Sequence, residues 1–273
     1  MTDIRQINIG GDVLIPQLGL GVFQVSDGEA ADAVSTAIEA GYRMIDTAAI
    51  YRNERGTGEG LKRAGLARDE VFVTTKLWND RQTDARAALT ESLEKLGLDH
   101  VDLYLIHWPV PKNDHYVEAW RTLVQLRDEG LTRAVGVSNF TEEHLTRVID
   151  ETGVIPAVNQ VEMHPYLQQP GLRDFMLKQG VTAEAWSPIG QGKGLLDDPA
   201  LARLAEKHGK TAAQIVLRWH LQIGNVVIPK SVTPSRIREN IAVTDFELDS
   251  ADMDVIAGMD RNARIGPDPN NFG

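Results

Sequence analysis

Short apolar runs alternate with helix-period segments eight times along this chain of 273 residues, and that alternation limits the fold more than any other feature. The runs lie near Leu18 to Phe23, Tyr42 to Ile45, Val71 to Thr75, Val101 to Ile106, Ala134 to Val137, Ala157 to Val161, Val181 to Ala185 and Val226 to Ile228. The helical stretches between and after them lie near 28–40, 53–64, 82–96, 114–129, 141–150, 170–178, 211–221 and 234–241. Strands buried on both faces read as continuous apolar runs, and parallel neighbours need a crossover helix. Eight such units predict an α/β chain folded as a closed (β/α)8 TIM barrel, a single domain over residues 1–273. Ile7, Ile9, Val13 and Ile15 alternate about Gly10-Gly11-Asp12, which predicts an N-terminal β-hairpin. Two extra helices are expected near 198–208 and 249–258.

Charge and cysteine content narrow the function classes. Thirty-nine acidic against 28 basic side chains give a net charge of −11, which disfavours nucleic acid or an anionic membrane as a partner. There is no cysteine, so disulfides, thiolate metal sites and a cysteine nucleophile are excluded. Met1 to Gln6 lacks a basic stretch leading into an apolar core, and no segment approaches the ~20 apolar residues of a membrane span. A soluble cytoplasmic protein with a small-molecule partner is the expectation.

In a closed barrel the carboxyl ends of the strands share one rim. The polar and aromatic residues delivered there are Asp46, Lys76, His107, Ser138, Asn139, Gln160, Trp186, Ser187, Lys230 and Ser231, with Tyr51 five residues beyond Asp46. Singly, Lys76 reads as a structural or substrate-binding amine and His107 as a partly buried hydrogen bonder. Together, a phenol, an amine, a carboxylate and an imidazole in one cleft can shift one another's pKa. The other histidines, His100, His115, His144, His164, His208 and His220, show no metal-ligand spacing, so no metal is expected.

The ordered segments Gly41-Tyr42-Arg43-Met44-Ile45-Asp46-Thr47-Ala48, Tyr51 with Asn53-Glu54, Thr75-Lys76-Leu77-Trp78, Asp102 to Pro109, Gly136 to Phe140, Asn159-Gln160 and Ile228-Pro229-Lys230-Ser231 resemble the aldo-keto reductases along essentially the whole chain. Trp78-Asn79-Asp80, Gln191-Gly192-Lys193 and Leu217 to Gln222 resemble the bacterial 2,5-diketo-D-gluconate reductase branch within them. The resemblance implies a monomeric carbonyl reductase. Tyr51 would protonate the carbonyl oxygen as hydride arrives, and Lys76 would lower the phenol from its usual pKa of about 10. Asp46 would orient Lys76, and His107 would hydrogen-bond the carbonyl oxygen.

No Rossmann fingerprint is present: Gly19-Leu20-Gly21 lacks a third glycine, and Gly56-Thr57-Gly58-Glu59-Gly60 follows a loop. By the same resemblance NADPH (NADP+) would lie across the barrel mouth. Trp186 would stack on nicotinamide, Ser138, Asn139 and Gln160 would bind the carboxamide, and Ser187 with the loop to Gly192 would approach the pyrophosphate. Lys230, Ser231 and Arg236 would hold the 2′-phosphate at a helix start, with Glu239 and Asn240 at the adenine. The sequence departs from the branch at Thr233, where arginine is usual. Phe23, Ile50, Trp78, Trp108 and Phe272 would line the substrate, either a small dicarbonyl or a keto-sugar acid such as 2,5-diketo-D-gluconate. The tail from Gly266 to Gly273 cannot be helical and is expected as a surface segment, either a free end or a flap over a ligand. Two other readings are a Schiff-base aldolase using Lys76 and an NADPH-binding sensor without turnover.

Overall fold

The computed structural model describes residues 4–273. Strands β1 (Gln6–Asn8) and β2 (Leu14–Pro16) form the antiparallel hairpin, turned where Asn8 Oδ1 accepts the Gly10 amide at 2.8 Å. Ile9 and Ile15 pack with Met44, Phe72 and Leu103, the last two being among the first inward residues of their strands. The hairpin therefore covers the end of the sheet opposite the strand carboxyl termini.

The remaining strands are β3 (Leu20–Gly21), β4 (Met44–Asp46), β5 (Phe72–Leu77), β6 (Val101–Ile106), β7 (Thr132–Ser138), β8 (Val158–Glu162), β9 (Thr182–Trp186) and β10 (Val226–Val227). All eight run parallel in one curled sheet whose order follows the chain, from β3 to β10. The outermost two meet: Gly19 N donates to Val227 O at 2.9 Å and Gly21 N to Pro229 O at 3.0 Å, with a parallel bridge between Gly21 and Lys230. Glycine suits that approach at position 21, because a Cβ there would stand 3.1 Å from Ile228 O.

Helices α1 (Asp27–Glu39), α2 (Glu54–Ala64), α3 (Ala85–Leu96), α4 (Tyr116–Asp128), α5 (Glu142–Thr152), α6 (Pro170–Gln179), α7 (Pro199–His208), α8 (Ala212–Gln222), α9 (Pro234–Ile241) and α10 (Ser250–Ala257) pack outside. Of these, α7 and α10 are the two extra helices. Their starts are set locally. Ser26, Thr141, Thr211 and Asp249 each take an amide of the first turn, which satisfies a donor that the helix itself cannot. The main apolar layer lies between helices and sheet, where Val73, Leu77, Tyr104, Val137, Trp120 and Leu123 are sealed from water.

The observed elements follow the expected alternation with shifted ends. Strand β5 runs on through Leu77, so Lys76 lies within it rather than after it. Residues Asn79–Asp84 form 3-10 turns, and α3 begins only at Ala85, later than the apolar periodicity alone predicts. Among the described residues no helix is long and apolar enough to cross a membrane.

Candidate active site

Asp46 ends β4, Lys76 is the fifth residue of β5, and His107 follows β6 directly. Tyr51 ends a 3-10 turn, Ala49–Tyr51, that Arg52 breaks in the left-handed region at φ 57. The next side chain pins this turn to the scaffold. Asn53 accepts the Thr47 hydroxyl at 2.8 Å and donates to Val22 O at 2.8 Å and Val25 O at 3.0 Å, all out of water. These three bonds anchor the short loop that carries the Tyr51 phenol.

The four groups converge. Lys76 Nζ donates to Asp46 Oδ1 at 2.6 Å and to Thr47 O at 2.9 Å, and lies 3.5 Å from Tyr51 Oη. The Tyr51 and His107 rings meet edge-on, with centroids 5.7 Å apart. Lys76 is wholly buried, which opposes its charge, but Asp46 and Tyr51 outweigh this and hold it above the usual lysine range. Burial pushes the Tyr51 phenol up; Lys76 pulls it down and Asp46 pushes it up further, so the net direction is upward. Lys76 acts on the phenol in the expected sense, but burial is stronger. His107 is driven well below its ordinary value by burial and then by the Lys76 charge, so it is a neutral imidazole at physiological pH. Its Nδ1 is buried without a hydrogen-bond partner among the described residues.

Aromatic rings wall the cleft. Phe23 is 5.1 Å from Tyr51 between centroids, Trp78 is 5.1 Å from His107, and Phe272 lies 4.5 Å from Trp108 and 6.4 Å from Trp78. Ile50 is half-buried on the Tyr51 turn. The tail bearing Phe272 lies back against the molecule rather than extending from it, because Glu162 accepts Ile265 N at 2.6 Å and Gly266 N at 2.8 Å.

Strands β7 to β9 supply a polar group beside these rings. Ser138 Oγ donates to Gln160 O at 2.7 Å, and Asn139 Nδ2 donates to His107 O at 3.0 Å. Trp186 Nε1 donates to Asn139 Oδ1 at 2.8 Å, which fixes the indole at the end of β9. Gly266 rests on that indole so closely that a Cβ would stand 2.5 Å from the ring. Asn139 and Ser187 both have left-handed backbones, at φ 62 and φ 51, an arrangement that concentrates at ligand sites. Gln160 Nε2 donates to Asp46 Oδ2 at 2.8 Å, tying this group to the catalytic candidates.

A second cluster lies after β10. Lys230, Arg236 and Arg238 are exposed, and none is ion-paired among the described residues, while Ser231 is buried and accepts the Thr233 amide at 3.2 Å. Pro234 begins α9, so the free amides of its first turn and three exposed cations fall within nine residues of a chain that is acidic overall. That donor set suits a phosphate monoester. Glu239 is half-buried and accepts the Thr211 hydroxyl at 2.8 Å; Asn240 is buried. Lys230 is bridged to Gly21, whose register partner is Asp46, so the cationic cluster adjoins the cleft across one strand.

Two buried carboxyls escaped the sequence reading. Glu162 holds the tail and accepts His164 Nε2 at 2.9 Å; Glu184 faces inward on β9 with its Oε2 accepting Gln160 Nε2 at 3.0 Å. The detectable signal is a glutamate directly after the run that ends at Val161 and another inside the run from Val181 to Ala185, but alternation does not tell which face of a strand buried on both sides looks inward.

Comparison with known proteins agrees with the resemblance. The profile of the Aldo/keto reductase family matches residues 17–261. The chain is 57% identical over 261 residues to the methylglyoxal reductase DkgA of Yersinia pestis, covering 95% of this chain and 94% of that protein. A crystal structure of a Gox0644 mutant in complex with NADPH superposes with a TM-score of 0.95 at 46% identity, covering 99% of both chains. The Bombyx mori aldo-keto reductase in complex with NADP superposes with a TM-score of 0.92 at 37% identity, covering 98% of this chain and 96% of that one.

Proposed function

We propose, from the premise that this chain belongs to the aldo/keto reductase family, that it is an NADPH-dependent reductase of small carbonyl compounds built on one closed (β/α)8 barrel domain. The bridges between β3 and β10 support closure. The observation that carries the chemistry is the Lys76 ammonium standing 3.5 Å from Tyr51 Oη while 2.6 Å from Asp46.

NADPH, when bound, supplies the hydride. Lys230, Ser231 and Arg236 would take its 2′-phosphate, with Glu239 and Asn240 towards the adenine and Ser187 near the pyrophosphate. Ser138, Asn139 and Gln160 would meet the carboxamide, and Trp186 would stack on the ring. A free Tyr51 phenol with an upward-shifted pKa keeps its proton through neutral pH, as a general acid must. Lys76 opposes the negative charge that builds on the phenol oxygen as the proton leaves, and that help is largest in the transition state. Neutral His107 can donate one hydrogen bond to the carbonyl oxygen, which fixes its approach to Tyr51. Asp46 keeps Lys76 charged and immobile, which disfavours the aldolase reading, since a Schiff-base lysine must lose its proton to attack.

Phe23, Ile50, Trp78, Trp108 and Phe272 would enclose a substrate of a few carbon atoms. That wall, with the methylglyoxal reductase relative, supports methylglyoxal and related small dicarbonyls over larger keto-sugar acids such as 2,5-diketo-D-gluconate. The test is to follow NADPH absorbance with methylglyoxal, 2,5-diketo-D-gluconate and aromatic aldehydes and to identify products by NMR. Stoichiometric alcohol formation is expected, fastest with methylglyoxal. Absence of NADPH oxidation across the panel would overturn the reading.

A further inference from the structure

Glu184 has no part in the chemistry above, yet it lies beneath it. Its neighbour in register is Gln160, whose single Nε2 donates one proton to Asp46 Oδ2 at 2.8 Å and the other to Glu184 Oε2 at 3.0 Å. Both amide protons are therefore committed inward. Gln160 Oε1 is left as the only free acceptor of that side chain, and on the proposed reading it faces the carboxamide. We propose that Glu184 is a positioning residue, a neutral carboxylic acid at physiological pH that orients Gln160, and that its ionisation weakens proton donation by Tyr51.

The charge balance supports this. Asp46 and Lys76 already cancel, and all three side chains are sealed from water. A second carboxylate would add an uncompensated buried charge, and Glu184 Oε1 has no donor to stabilise one. A hydroxyl at Oε1 leaves that atom far less costly, while Oε2 stays an acceptor for Gln160. The charged groups that bear on Glu184 are Asp46 from β4 and Lys76 from β5; across β10 its register partner is the apolar Val226. Burial, reinforced by Asp46, pushes Glu184 up to about 8. Below that pH it is neutral; above it, a new negative charge raises both the Tyr51 and the Lys76 pKa. A less acidic phenol is a slower donor.

This inference rests on Tyr51 as the acid, so the test includes a readout that needs no activity. In infrared difference spectra of wild type against Glu184→Gln, a carboxylic-acid carbonyl band is expected at neutral pH that disappears as pH rises through the alkaline range. Glu184→Gln keeps an acceptor for Gln160 but cannot ionise. Its alkaline fall in kcat should therefore move upward by about one pH unit or more. Glu184→Leu, which offers no acceptor, should raise the NADPH KM about tenfold, and Glu184→Gln should restore it. A carboxylate band alone at neutral pH would overturn the proposal, as would coincident pH profiles for wild type and Glu184→Gln. The infrared band titrates whether or not Tyr51 is the acid, so a failure of that reading stays separable.

Discussion

Lys76 Nζ lies 2.6 Å from Asp46 Oδ1 with both side chains out of water, and the pair sits at the carboxyl end of the sheet where two neighbouring strands stop. Taking two charges into a protein interior costs more than most such pairs return, so this one is explained by what it does for Tyr51 rather than by stability. Removing one partner leaves the other charge uncompensated. Asp46→Asn is expected to destabilise the fold by about 3–5 kcal/mol in urea unfolding. A loss below about 1 kcal/mol would mean that the pair is not buried as described.

Arg236→Ala should weaken NADPH binding by about 10- to 100-fold, the scale of a lost charge-assisted hydrogen bond, and leave NADH within about twofold. Fluorescence titration with both cofactors measures this. Equal losses would remove Arg236 from the 2′-phosphate.

Phe272 packs on Trp108 and Trp78, two rings of the proposed substrate wall, and its tail is joined to the body by the two amides on Glu162. Phe272→Ala should raise KM for a small dicarbonyl several-fold, about 1 kcal/mol of lost contact, with kcat nearly unchanged. Steady-state kinetics over a range of substrate sizes tests it; an unchanged KM throughout would detach the tail from substrate binding.

Much of this was legible in the residues. Asp46, Lys76 and His107 stood out because each ends or follows an apolar run, and Tyr51 because a loop of four residues can return a phenol to the same strand end. Glu184 was not legible, since a strand apolar on both faces does not reveal which glutamate points into the centre. The tail carries no period, and its path depends on two backbone amides meeting one distant carboxylate. The sign of the Tyr51 shift was hidden too: the lysine beside it can be read from spacing, whereas the depth of burial that outweighs it is a property of the assembled fold.

His220 gives a pH prediction away from the site. It is fully buried, its Nε2 lacks a partner among the described residues, and burial lowers it to about 3. With a depressed folded pKa, the unfolded chain binds more protons between the two values. Stability is whole above the unfolded pKa of about 6.5 and falls as pH drops towards 3, by up to about 1.4 kcal/mol per pH unit from this group. His220→Gln should flatten the slope of unfolding free energy against pH over that window. An unchanged slope would mean that the imidazole is protonated in the folded protein.

The central claim is that the Tyr51 hydroxyl delivers the proton, and Tyr51→Phe tests it most directly. Single-turnover reduction of methylglyoxal with prebound NADPH should slow by about 100- to 10,000-fold, the scale of a lost general acid, while fluorescence titration shows NADPH affinity within about twofold of wild type. A variant that binds NADPH normally and still reduces the dicarbonyl near the wild-type rate would contradict the account.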